Sequence, residues 1–152
     1  MAGSMRRMGS PASIVRAALV GCAAIALAAC TSAFLAPDLA TEAGVKQAGG
    51  EPLAGPQSRA VLGRVVRYRW TTARGAQGYA LLDGKGAIRT FWETDAVNGR
   101  IRFTETGYCT RYRNVRNGKE DCYRLYRMAA NEYRVFREDG QFSGTITILP
   151  PS

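Results

Sequence analysis

The sequence predicts an all-β domain: an antiparallel meander of seven or eight strands forming a small barrel or bent half-barrel, preceded by a helical signal peptide and a disordered linker. Three observations carry this prediction. Asp83-Gly84, Asn98-Gly99, Asn117-Gly118 and Asp139-Gly140 are dipeptides that tolerate positive φ, and they fall at hairpin spacing. Short runs of β-branched and aromatic residues lie between them and alternate with arginine. No span past residue 59 shows a helical period of apolar residues.

The chain divides into 1–29, 30–58 and 59–152. Arg6, Arg7 and Arg16 precede an apolar run, 17–27, which ends in small residues at Ala28-Ala29. That order of basic, apolar and small segments is that of an export signal. The run is shorter than the about 20 apolar residues that a membrane-crossing helix needs. Leu27-Ala28-Ala29-Cys30 resembles the box at which bacterial lipoproteins are cut and acylated, so Cys30 is the expected lipid attachment. Leu19-Val20-Gly21-Cys22 has the same form, but cutting there would leave only Ala17 and Ala18 as an apolar segment. Several acyl chains on one thiol hold a protein to a membrane, because each buried methylene contributes about 0.8 kcal/mol.

Residues 31–58 carry Pro37, Pro52, Pro56 and Gly49-Gly50 with few strong β-formers, and they read as a flexible tether reaching about 30 Å. A helical turn near 38–45 would shorten that reach. From Arg59 onward, strands are expected at 64–71, 78–82, 87–93, 100–105, 108–113, 121–127, 133–137 and 142–149. Thr106-Gly107 decides the count: a bulge there merges two strands and leaves seven, whereas a turn gives eight.

Alternation assigns the faces. Val66, Tyr68, Trp70, Ile88, Trp92, Ile101, Phe103, Tyr108, Tyr112, Tyr123, Leu125, Tyr133, Val135, Phe142, Ile146 and Ile148 are expected inside. Arginines at 67, 69, 89, 100, 102, 111, 113, 124 and 134 take the other face. Buried Tyr and Trp need partners for their polar tips. Ordinary core packing and a polar-tipped pocket at a barrel mouth are both compatible with this pattern.

Charge changes sign along the chain. From Arg59 on there are 17 Lys and Arg against 9 Asp and Glu, whereas residues 30–58 hold one Lys against three acids. An exported basic domain meets anionic lipid, lipopolysaccharide or glycan rather than nucleic acid, and Arg100, Arg102, Arg111, Arg113 and Arg124 are the candidate anion-binding residues. A plain solvated face is the alternative, since Arg outnumbers Lys by 18 to 3 in the whole chain.

With Cys22 removed and Cys30 acylated, Cys109 and Cys122 remain as a pair in an oxidising compartment, where a disulfide is expected. A bridged hairpin places Arg113 opposite Gly118, with a loop over 114–117. A tight Asn117-Gly118 turn would instead set Arg113 against Cys122 and break the bridge.

The chain has no histidine, which removes Ser-His, Cys-His and His-metal chemistry, and two thiols alone do not make a zinc site. Glu93 with Asp95, Glu120 with Asp121, and Glu138 with Asp139 read as solvated turn acids. Gly84-Lys85-Gly86 reads as a hairpin turn rather than a phosphate loop. The expectation is no enzyme, no catalytic residue, no cofactor and no metal.

Cys109, the strand Cys122-Tyr123-Arg124-Leu125-Tyr126-Arg127, Tyr133, Asp139-Gly140 and Gly144-Thr145-Ile146 together resemble a family of small exported bacterial proteins, domain of unknown function 995. The similarity covers about 62–149. The resemblance implies the fold and brings no activity, cofactor or catalytic residue.

Absence of Asp after Cys30 resembles the sorting of enteric lipoproteins to the outer membrane, facing the periplasm. The expected role is a lipid-anchored binding or structural module with a basic exterior. The alternative is an inhibitor of an envelope-attacking hydrolase such as a protease, for which the protein partner is open.

Overall fold

The computed structural model describes residues 36–151. The expected signal peptide at 1–29 and Cys30, the expected site of acylation, lie outside the described residues. In chain order the elements are α1 (Glu42–Gln47), β1 (Glu51–Leu53), α2 (Gly55–Leu62), β2 (Val65–Thr72), β3 (Gln77–Asp83), β4 (Ala87–Trp92), β5 (Asp95–Phe103), β6 (Tyr108–Tyr112), β7 (Glu120–Ala129), β8 (Glu132–Arg137) and β9 (Phe142–Ile148). Among the described residues, no helix is long and apolar enough to cross a membrane.

Each strand from β2 to β9 pairs antiparallel with the next, and β9 returns to β2 with Trp70 opposite Ile146, so eight strands close into an up-and-down barrel. Closure removes the two unpaired edges that an open sheet of this size would present. The long β7 pairs with β6 over Tyr123 to Glu120 and with the extra strand β1 over Leu125 to Arg127, on the same edge. β1 therefore continues the ladder where β6 has ended.

Several turns form where the dipeptides stand. Asp83 Oδ1 accepts the amides of Lys85 and Ala87 at 2.7 and 2.9 Å, and these bonds hold its carboxyl below the usual range. Asp139 Oδ1 accepts the amide of Gln141 at 3.0 Å. Thr106-Gly107 is a turn, with Thr104 N donating to Gly107 O at 3.0 Å, so the barrel has eight strands rather than seven. Asn98-Gly99 is a correction: both residues lie inside β5, and the preceding turn falls at Glu93, whose φ is 49°. Arg113 to Lys119 form a longer loop than expected, with a short 3-10 turn at Arg116–Gly118, while the ladder keeps the bridged register through Arg111 opposite Glu120.

The interior is the one that alternation assigns. Val66, Tyr68, Ile88, Ile101, Tyr108, Leu125, Tyr133, Val135, Ile146 and Ile148 are buried in one cluster, with Trp70, Phe103, Tyr112 and Tyr123 packed against it. Phe142 departs from the pattern. A register shift between Val135 and Phe136 in the β8–β9 pair places Phe142 opposite Phe136, and both rings join a second cluster with Val45 and Tyr126 on the outside of the sheet. α1 covers that cluster through Val45, while Tyr126 Oη donates to Glu42 Oε2 at 2.8 Å.

The folded domain begins earlier than its composition suggests. Thr41 caps α1 by accepting the amide of Gly44, and Val45 and Leu53 are wholly buried. Pro56 in the first turn of α2 and Gln57, which accepts the Ala54 amide at 2.8 Å, start the second helix. Val61 and Leu62 of α2 insert beneath Val66, Leu82, Ile88 and Ile101 and close that end of the barrel. Gly55 is small for steric reasons, since a Cβ there would lie 1.7 Å from the Thr104 carbonyl oxygen. What reads as a linker at 36–58 is a packed cover and plug.

Candidate functional site

The opposite end of the barrel holds a cavity of about 320 Å³, at the lower end of the about 300–1,000 Å³ typical of small-molecule sites. Strand ends supply it: Tyr68, Trp70 and Thr72 from β2, Thr90 and Trp92 from β4, Val97 from β5, Tyr108, Thr110 and Tyr112 from β6, Tyr123 from β7, and Val135, Gly144 and Ile146 from β8 and β9. Val115 of the β6–β7 loop stands at the mouth. No residue of the lining carries a formal charge at neutral pH.

Two cross-strand pairs create the space. Trp70 is opposite Gly78 and Tyr112 is opposite Gly99. A Cβ at Gly78 would lie 2.3 Å from the Trp70 ring, and one at Gly99 would lie 2.6 Å from the Tyr112 ring. Each aromatic side chain thus lies flat across a neighbouring glycine, which keeps the ring at the wall and the middle of the barrel clear. These glycines are where the sequence signal was read as a turn or passed over.

The polar side-chain groups of the lining residues are hydroxyls and the indole N–H groups of Trp70 and Trp92. Tyr112 Oη and Thr90 Oγ1 are 2.9 Å apart. No hydrogen bond among the described residues engages the hydroxyls of Tyr68, Tyr108 or Tyr123, and buried Trp70 Nε1 also lacks a partner there. Buried polar groups in folded proteins nearly always have partners, so the unpaired indole N–H, which has no exposed surface, is a cost to the fold, whereas the three hydroxyls are not so enclosed. Burial, followed by neighbouring tyrosines, pushes the Tyr68 and Tyr108 phenols well above 10, and burial raises Tyr112 and Tyr123 as well. All four remain protonated donors throughout the physiological range.

The candidate anion-binding arginines separate into two groups. Arg102 pairs with Glu120, and Arg124 pairs with Glu42 at 2.7 Å, so carboxylates already neutralise both. Arg100, Arg111 and Arg113 line one groove on the outside of β5 and β6 together with Asn98, Asn114 and Asn117. Arg100 and Arg111 stand directly opposite each other across the ladder, and Arg111 Nε donates to Gly118 O at 2.7 Å. No ion pair among the described residues reaches Arg100, Arg111 or Arg113.

Cys109 and Cys122 are register partners and are bridged. With Glu120 they form a group of potential metal ligands, but each sulfur is bonded to the other. The acidic pairs are dispersed: Glu120 is held by Arg102, which keeps its carboxyl below the usual range, and Asp121 is held by Arg116 and Arg137 at 2.5 and 2.9 Å.

Fold and site together define a small closed meander barrel, plugged at one end and carrying an aromatic cavity at the other. No family model, no curated protein and no solved structure matches the chain.

Proposed function

We propose that this chain is a lipid-anchored protein of the bacterial envelope whose barrel binds a small molecule in the cavity at its open end. The single observation that carries the reading is the cavity itself, lined by Trp70, Trp92 and four tyrosines and closed beneath by residues that are fully packed. The hydroxyls supply orientation and the rings supply contact area, which suits binding. Outward arginines in mid-strand, such as Arg67, Arg89 and Arg102, are unsuited to a lipid-facing band, where each would cost about 2–4 kcal/mol near the midplane. They fit a barrel that stands in water on a tether. The disulfide fits the oxidising side of the membrane.

The test uses the two tryptophans of the chain, both of which line the cavity, so intrinsic emission reports on that place. Neutral planar probes such as coumarin or naphthalene should shift the emission saturably and raise the melting temperature. No saturable response to either probe would remove the cavity from the account. Mass spectrometry of the membrane-extracted protein should find acyl groups on Cys30, and an unmodified thiol would remove the anchor.

A second reading, docking of the domain on an anionic surface, is favoured by the Arg100–Arg111 pair. Two like charges directly opposite on a sheet repel, and a shared anion relieves that repulsion. Each arginine near an anionic membrane contributes about 1 kcal/mol. Arg100→Ala with Arg111→Ala should therefore weaken cosedimentation with anionic vesicles roughly thirtyfold at low salt. Equal binding by the variant and the parent chain would leave these arginines as a solvated face.

A further inference from the structure

Resting on the proposal that the cavity is a binding site, we infer that its ligand is a neutral, planar small molecule that presents an oxygen acceptor to the phenols of Tyr68, Tyr108 and Tyr123. Three observations point to this chemistry.

First, the lining has no formal charge, so an ionised ligand would lose its hydration without gaining a counter-charge. The arginines that could have supplied one lie on the outer face, in the groove of Arg100, Arg111 and Arg113, or are paired with Glu120 and Glu42.

Second, the polar groups that the cavity offers without protein partners are phenols. Trp70 Nε1 has no exposed surface and is out of reach of a guest. The hydroxyls of Tyr68, Tyr108 and Tyr123 are not so enclosed and can rotate to donate to a guest, whereas the Tyr112 hydroxyl is already engaged with Thr90. A carbonyl, lactone or ether oxygen satisfies this set, and a hydrocarbon leaves it unmet.

Third, the walls are flat. Trp70 and Tyr112 are laid against the sheet by Gly78 and Gly99, and Tyr108 stands beside Tyr123 at a centroid separation of 5.4 Å. Ring faces on several sides accept a planar guest by offset stacking, and they suit a branched aliphatic guest less well.

The experiment compares three probes of similar size on the full chain, produced with Cys30→Ser so that no acyl group competes for the cavity. Coumarin is neutral and bears a carbonyl, naphthalene has the shape without an acceptor, and 2-naphthoate bears a charge. Ligand-observed NMR titration should rank coumarin at least about fivefold tighter than naphthalene, with 2-naphthoate weakest. The variant Tyr108→Phe with Tyr123→Phe keeps both aromatic rings and removes two of the donors. It should weaken coumarin about fivefold to tenfold and leave naphthalene within twofold.

Equal affinity for coumarin and naphthalene, or an unchanged coumarin affinity in the Tyr108→Phe, Tyr123→Phe variant, overturns the acceptor inference while the cavity stands as a binding site. Binding of 2-naphthoate as tight as that of coumarin overturns neutrality. Failure of all three probes overturns the binding site itself.

Discussion

A chain starting at Arg59 should not fold into a stable barrel, whereas one starting at Ala36 should melt cooperatively. The shorter chain loses Val45 and Leu53, both wholly buried, and the first half of α2, which carries buried Ser58. Burying a Val or Leu side chain contributes about 1.5–3 kcal/mol each, against a total stability of about 5–15 kcal/mol for a small domain. It also leaves the Leu125 to Arg127 edge of β7 without its partner β1, and exposed edges of that kind aggregate. The point variant Leu53→Ala separates packing from chain length and should cost about 2–5 kcal/mol in denaturant unfolding. A normal melt from the chain starting at Arg59 would show that the cover and plug are dispensable.

Loss of the Cys109–Cys122 bridge is the second large expected effect. The two residues are 13 apart in sequence, and closing a loop of that size restricts the unfolded chain by about 3 kcal/mol. For a domain of this size that corresponds to a fall in melting temperature of roughly 10 °C or more. Calorimetry with and without reductant, or of Cys109→Ser with Cys122→Ser, measures it. An unchanged melt would mean that the ladder between β6 and β7, together with Arg102–Glu120 beside it, already fixes the hairpin.

The strands were legible because their signals are local. Val66, Tyr68 and Trp70 alternate with Arg67 and Arg69, and a period of two leaves a half-buried strand as the one local structure that satisfies both faces. The bridge was legible for a similar reason: once Cys109 and Cys122 are expected to pair, they fix the register of one hairpin, and the observed pair of Arg111 with Glu120 follows from it. Asn98-Gly99 misled because a glycine that admits positive φ and a glycine that admits a neighbouring ring are written with the same letter. The neighbour, Tyr112, is thirteen residues away in sequence and adjacent only across the β5–β6 ladder.

The cavity could be suspected but not located. The sequence placed Tyr68, Trp70, Trp92, Tyr108, Tyr112 and Tyr123 on one side of the sheet, yet core packing and a lined pocket use the same residues in the same alternation. Which of the two occurs depends on how far the rings reach across the barrel, and Gly78 and Gly99 set that distance. The arginines likewise could be assigned an outward face but not a partner. Glu42, which holds Arg124, lies in the segment read as tether.

By itself the sequence determined a meander of β-strands with aromatics on one face and arginines on the other, and the pairing of its two internal cysteines, because these follow from neighbours one or two residues apart and from the chemistry of thiols. Only the tertiary structure decided that the meander closes, that residues 36–62 plug and cover it, and that its other end holds a cavity. Those outcomes rest on contacts between residues far apart in the chain. Val45 on Phe136, Leu62 under Ile88 and Trp70 over Gly78 gain their meaning from what they touch, and nothing in the local pattern of residues encodes the touching.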